Sequence, residues 1–244
     1  MPKAVFQAIY NDIKKGIESG AFQYQSLLLS ENEFAKQYCC SRSTIRRALQ
    51  ELTLDGYVQP IQGKGVRVIW KPTGEDTLSV STVGLESFAE QGRRIGFKTE
   101  TKLISFKHIE ADEKISRETS FPVGEALVEI ERVRLADGVP VTTDHTYYLE
   151  SEIPGLTPEI AMVSTYQYIE NELGLKIVTS KRTITMEHAT DSDMRYIQPP
   201  KNLPAVAVVR GRSFDSAGVM FEHSESRQHP YFFSYSETAI RPNH

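Results

Sequence analysis

Cysteine is nearly absent from the 244 residues: two occur, adjacent at Cys39 and Cys40. Two neighbouring thiols cannot staple a fold or fill a four-ligand zinc site, so a disulfide scaffold is excluded and a reducing compartment expected. Long apolar runs are also missing. Mean hydropathy is −0.37, and no stretch nears the roughly 18 apolar residues of a membrane span. Met1-Pro2-Lys3-Ala4 carries no apolar leader, so the expectation is a cytoplasmic protein with no membrane partner. The six histidines show no metal-ligand spacing, and no Gly-rich nucleotide loop, Gly-x-Ser-x-Gly elbow or His-Glu-x-x-His pair occurs. Neither an enzyme nor a metal or cofactor site is expected.

A strong net charge is missing too, but the total of −4 hides an asymmetry. Residues 1–70 hold nine Lys/Arg against six Asp/Glu, a net of +3, and the rest of the chain nets −7. A polyanion senses charge within about a Debye length, ~10 Å, so the basic front can face nucleic acid on an acidic protein. Residues 1–70 are expected as one domain, 71–77 as a linker without apolar period, and 78–244 as a second domain.

The front reads as three helices and a hairpin. Val5, Ile9, Ile13 and Ile17 recur every fourth residue over 5–19, before Gly20. Ser30 and Glu33 form a capping-box pattern for a short second helix. Ser41 caps a third over 42–54, closed by Asp55-Gly56. At ~100° per residue, Ile45, Ala48, Leu49 and Leu52 share the core side of that helix. Ser43, Arg46, Arg47 and Gln50 share the opposite side, with Arg42 and Thr44 at its first turn. Guanidinium, amide and hydroxyl groups on one face are what a duplex groove requires. Two β-rich runs, 57–61 and 66–69, flank a tip of Gly63-Lys64-Gly65, where a lone cation between small residues can approach a groove closely. The whole is a winged helix-turn-helix.

Leu28-Leu29-Ser30-Glu31-Asn32-Glu33-Phe34-Ala35, Ser41 to Leu49, Gly56-Tyr57-Val58 and Gly63-Lys64-Gly65 together resemble the GntR family of bacterial transcription regulators. Leu29 stands where that family usually has Pro, Cys39 where it has the turn Gly, and Asn32 where it has a DNA-contacting Arg. The resemblance adds Asn32 to the DNA-binding candidates.

Beyond the linker, 84–94, 165–173 and 191–197 read as helices. Alternating runs at 98–109, 126–135, 139–149, 177–187, 205–214, 219–228 and 231–240 read as strands, with turns at Asp137-Gly138 and Ala217-Gly218. The expected class is α+β, a mostly antiparallel sheet with covering helices. Arg132 and Arg134, two apart on a strand, share a face and can meet one anion; Arg210 and Arg212 have the same spacing. Ser87, Phe88 and Ser164 sit near helix starts that suit phosphate. Asp144, Tyr168, His145 and Glu222 could bond sugar hydroxyls if they line one cavity.

Leu85 to Phe88, Glu131 to Pro140, Ser164 to Ile169 and Phe221 to Ser224 resemble the HutC subgroup of that family, whose effector (UTRA) domain has a chorismate-lyase-like fold. This implies that Arg132, Arg134, Ser87 and Ser164 hold a sugar phosphate and that Glu222 faces the sugar; with Phe88, Asp144, Tyr166 and Tyr168 they make up the expected effector site. Ile169 to Leu175 and Glu225-Ser226-Arg227 are similar to trehalose operon repressors. The resemblance implies a homodimeric repressor on a palindromic operator, released by a phosphorylated sugar such as trehalose 6-phosphate. The competing readings are an enzyme of the same fold and a non-specific DNA binder.

Overall fold

The fold is that of a computed structural model, which describes residues 2–71, 79–81 and 85–236. Contacts divide the chain into two compact units, with breaks between Glu75 and Asp76 and after Ser236. The first break falls inside the expected linker, most of which lies outside the described residues.

The first unit contains helices α1 (Pro2–Glu18), α2 (Glu31–Gln37) and α3 (Arg42–Leu54), then strands β1 (Val58–Ile61) and β2 (Gly65–Val68). Ile9, Ile13 and Ile17 of α1 are buried against Phe34, Ile45, Ala48, Leu49 and Leu52. Val5 departs from its expected place in that stripe: it is 44% exposed, and Phe6 is buried instead. The drift of a 3.6-residue period against strict fours carries Val5 off the core side. Ser30 caps α2 in a reciprocal box with Glu33, and Ser41 caps α3. Cys39, in the turn between them, has a positive φ of 49°, which explains why glycine usually stands there. β1 and β2 pair antiparallel, and residues 25–28 bond the other side of β2. Pro60 therefore lies on an edge strand, where its missing N–H is harmless.

The second unit is built on a six-stranded, wholly antiparallel sheet in the order β4-β5-β6-β9-β8-β7. The strands are β4 (Thr99–Glu110), β5 (Ala126–Ala136), β6 (Val139–Leu149), β7 (Ile177–His188), β8 (Ala205–Asp215) and β9 (Met220–Gln228). Its helices are α4 (Phe88–Ile95), α5 (Glu113–Thr119), α6 (Pro158–Val163), α7 (Thr165–Asn171) and α8 (Asp191–Tyr196). Val128, Ile130, Tyr148 and Phe221 from the sheet pack with Ala161 and Ile169 of α6 and α7 on one face. Two expectations need correcting. The helix predicted from residue 84 begins at Phe88, because Ser87 is its N-cap; residue 84 lies outside the described residues. The strand predicted over 231–240 is a 3₁₀ turn (Pro230–Phe232) followed by β10 (Ser234–Ser236), which pairs in parallel with β3 (Ser79–Ser81). Pro230 opens that turn, where its fixed φ suits a helical start. Residues 237–240 lie outside the described residues.

Candidate nucleic-acid interface and small-molecule cavity

In the first unit, α3 turns Ile45, Ala48, Leu49 and Leu52 inward and leaves Arg42, Ser43, Arg46, Arg47 and Gln50 exposed. The exposed face is not uniform. Arg46 grips Glu31 at the start of α2 in a two-pronged pair, Nε to Oε1 at 3.0 Å and Nη2 to Oε2 at 2.9 Å. Arg42 reaches the same carboxylate at 3.4 Å. Arg47 turns the other way and stacks over Phe6 of α1, 4.1 Å from the ring centre. The Ser41 hydroxyl, beyond capping Thr44 N–H, lies 2.8 Å from Ser43 Oγ and 2.9 Å from Thr44 Oγ1. Asn32 is exposed on α2, and Lys64 is exposed between Gly63 (φ 71°) and Gly65 (φ 110°). Those backbone angles are glycine's own, so the wing tip carries no side chain beside Lys64.

In the second unit, residues of α4, β5, β6, the α6–α7 junction, β7, β8 and β9 surround a cavity of about 160 Å³. Strand alternation selects its lining: Arg132 and Arg134 from β5, Thr142, Asp144, Thr146 and Tyr148 from β6, Glu222, Ser224, Ser226 and Gln228 from β9. Ser87 and Phe88 enter from the start of α4, and Ser164 and Tyr166 from the start of α7. Eight of the nine expected effector residues are thus brought together.

Tyr168 is the exception. It lies two residues past Tyr166, about 200° around the helix, and its hydroxyl donates to the Pro154 carbonyl at 2.7 Å outside the cavity. His145 is also turned away. Next to Asp144 on a strand, it faces the other side of the sheet and meets Glu129 at 2.8 Å. Glu129, Glu131 and His145 bring ligand-capable atoms within 4.8 Å of one another there. Arg210, on that side as well, is held by Glu187 and Glu225. It is not a second anion clamp.

The charges in the cavity are arranged around Asp144. Arg134 Nε donates to its Oδ2 at 2.7 Å, Arg132 Nη2 stands 3.8 Å from the same oxygen, and the Ser226 hydroxyl donates to Oδ1 at 2.7 Å. Burial works to raise the Asp144 carboxyl, but Arg134 and Arg132 outweigh it and hold it below the usual carboxylate range. Burial and repulsion from Arg132 push the Arg134 guanidinium down. Arg134 also donates to Thr101 Oγ1 at 2.8 Å and lies against the Phe88 ring. Arg132 is 3% exposed; its Nη1 donates to the Ala161 carbonyl at 3.1 Å, and its buried Nε has no hydrogen-bond partner. Two guanidiniums therefore share one carboxylate, with a donor left over.

Glu222 lies across the cavity, 4% exposed. Tyr148 donates to its Oε1 at 3.0 Å and Tyr166 to its Oε2 at 2.8 Å. Burial first, then Glu222, pushes both phenols well up, so they stay protonated as donors. The Ser87 hydroxyl and N–H are committed to Glu90 in a capping box. The first turn of α4 thus offers Phe88 and Ala89 to the cavity more freely than Ser87. Thr146, Tyr148, Ser224 and Ser226 were missed in the sequence. The signal that finds them is the period of two running from Asp144 and Glu222.

The family model for bacterial regulatory proteins of the gntR family matches residues 6–68, and that for the UTRA domain matches residues 94–233. The HTH-type transcriptional regulator TreR of Bacillus subtilis (strain 168) is 34% identical over 236 residues, covering 97% of each chain. The chain belongs to the GntR family. Its fold is that of the solved possible transcriptional regulator YydK of Bacillus subtilis (TM-score 0.79, 22% identity, 97% of this chain and 99% of that one). The solved effector-binding domain of the B. subtilis trehalose repressor, TreR, matches with TM-score 0.53 at 30% identity, over 59% of this chain and 99% of that one. This GntR chain therefore pairs a DNA-binding helix-turn-helix with a UTRA effector domain, and its relatives are transcription regulators. Among its described residues no helix is long and apolar enough to cross a membrane.

Proposed function

We propose that the protein is a homodimeric repressor of a sugar-uptake or catabolic operon, released when a phosphorylated sugar fills the UTRA cavity. Arg42, Ser43, Thr44, Arg46, Arg47 and Gln50 of α3, Asn32 of α2 and the Gly63-Lys64-Gly65 tip meet the duplex. Two copies place their α3 helices in successive major grooves about 34 Å apart on a palindromic operator.

The observation that carries the effector reading is the buried pair Arg132 and Arg134 against the single carboxylate of Asp144, with Arg132 Nε unpartnered. A phosphate supplies the missing negative charge beside the two guanidiniums. Glu222 and the hydroxyls beside it accept and donate to a sugar ring. The likeness to TreR supports trehalose 6-phosphate as the sugar phosphate to try first.

A thermal-shift panel of sugar phosphates and their unphosphorylated parents tests this. A ligand that binds only the folded chain raises Tm. Trehalose 6-phosphate is expected to raise it more than trehalose does; no shift from any sugar phosphate overturns the effector reading. Repression also requires coupling: effector and operator must weaken each other by one common factor, typically 1–3 kcal/mol.

A further inference from the structure

We infer that Glu31 is a positioning residue for DNA recognition, holding Arg46 and Arg42 in the pose from which they read the duplex. The inference rests on the proposal that the exposed face of α3 meets DNA. Glu31 is the first residue of α2, and its carboxylate takes Arg46 through Nε and Nη2 while Arg42 reaches it from one turn earlier on α3.

The way Arg46 is held matters. A guanidinium has five N–H groups in a planar fork. Glu31 uses one on Nε and one on Nη2, along one edge of the plane. Both hydrogens of Nη1 and one of Nη2 remain, and one from each nitrogen forms the fork that fits O6 and N7 of guanine. The carboxylate therefore aims the reading edge outward instead of blocking it. It is also ionised firmly enough to do so: the hydrogen bond from Arg46 outweighs the opposing effect of burial and, with the charges of both arginines, holds Glu31 below the usual carboxylate range. Without Glu31, a long side chain on an exposed helix face samples many rotamers.

Charge and aim pull in opposite directions, and this makes the role testable. Glu31 cancels part of the positive charge that draws in phosphates, so a neutral replacement strengthens sequence-independent binding. If Glu31 only damps charge, Glu31→Gln tightens binding to every duplex. If it aims Arg46, Glu31→Gln loosens binding to the preferred duplex and tightens it to others.

The experiment uses the full-length protein. A preferred duplex is selected from a randomised library with the wild-type chain, and affinity is measured by fluorescence anisotropy for that duplex and a scrambled one. The expected result for Glu31→Gln is a loss of roughly 10-fold on the selected duplex and an equal or tighter affinity on the scrambled one, with only a small drop in Tm. Glu31→Asp, which keeps the charge on a shorter stem, should recover part of the loss. Selected-duplex affinity equal to or better than wild type overturns the inference and leaves the α3 reading standing. If the wild-type chain enriches no sequence at all, the α3 reading fails and the inference with it.

Discussion

Asp144 and Arg134 sit on neighbouring strands of one sheet, joined by a 2.7 Å bond deep in the second unit. Arg132, one pleat along, leans on the same carboxylate oxygen at 3.8 Å. Two buried guanidiniums thus face one carboxylate, the asymmetry on which the proposed anion site rests. One carboxylate stabilises two guanidiniums well enough to fold, and leaves room for a second negative charge from outside.

Replacing Asp144 with Asn removes that internal counter-charge. Two buried guanidiniums then face each other, and folded stability should fall by about 3–5 kcal/mol. Inorganic phosphate should recover more stability in Asp144→Asn than in the wild type, read by urea unfolding with and without phosphate. Equal recovery in both would show that the arginines do not bind the added anion. The folded Asp144 carboxyl lies below its unfolded value. Its contribution is thus full above the unfolded pKa of about 3.9 and lost as pH drops through the folded one. The gap between variant and wild type should close in acid.

The two units should fail separately. Arg46→Ala is expected to weaken binding to the selected duplex between about 5- and 100-fold while sugar-phosphate binding is unchanged. Arg132→Lys keeps the charge but loses the planar fork, and should do the reverse. Anisotropy for DNA and calorimetry for the effector separate the two; loss of both activities in both variants would refute the division of labour.

His223 predicts a pH dependence. Burial, followed by the charge of Arg212, lowers its pKa to about 4, with His145 and Arg210 adding to the shift and Glu225 opposing it. The unfolded chain binds this proton near pH 6.5, the folded one only near 4, so stability falls as pH drops through that window. His223→Gln should flatten part of the decline, measured as urea midpoints from pH 7 to 4. The remainder belongs in part to His229, which burial shifts in the same direction. An unchanged slope in the variant would mean that His223 does not titrate in that range.

Gly92 fixes how closely α4 lies on β4. A Cβ there would come 2.4 Å from Thr99 Cγ2 and 3.0 Å from the Phe97 carbonyl oxygen. Neither is the free end of a flexible chain, so Gly92→Ala should shift α4 and cost about 1–3 kcal/mol. Phe88 and Ala89 ride on that helix at the cavity edge, so effector affinity should fall as well. Unchanged calorimetric affinity would show that α4 does not help to hold the effector.

Much of the architecture was legible because it is local. Capping boxes at Ser30 and the N-cap at Ser41 mark where α2 and α3 begin, and Asp137-Gly138 and Ala217-Gly218 mark two hairpins. α5 and α6 went unread although Asp112 and Thr157 cap them and Pro158 opens the second. Their six or seven residues are too few to show a period, so only the caps could have found them, as the Ser30 box found α2.

Periodicity, by itself, determined the six long strands of the second unit and which of their residues share a face. That was enough to put Arg132 with Arg134, as the helical period put Ile45 with Leu49. The tertiary structure alone decided which groups from distant segments meet those faces. It chose Asp144 as the counter-charge, 10 residues from Arg134 in sequence, and joined Tyr166 to Glu222 over 56 residues. It sent Tyr168 out of the cavity and bound Glu31 of α2 to Arg46 of α3. A side chain's partner depends on register and packing; the Asp137-Gly138 turn sets the register of β5 and β6 only up to the irregularity at Arg134/Leu135, and no local pattern encodes the packing.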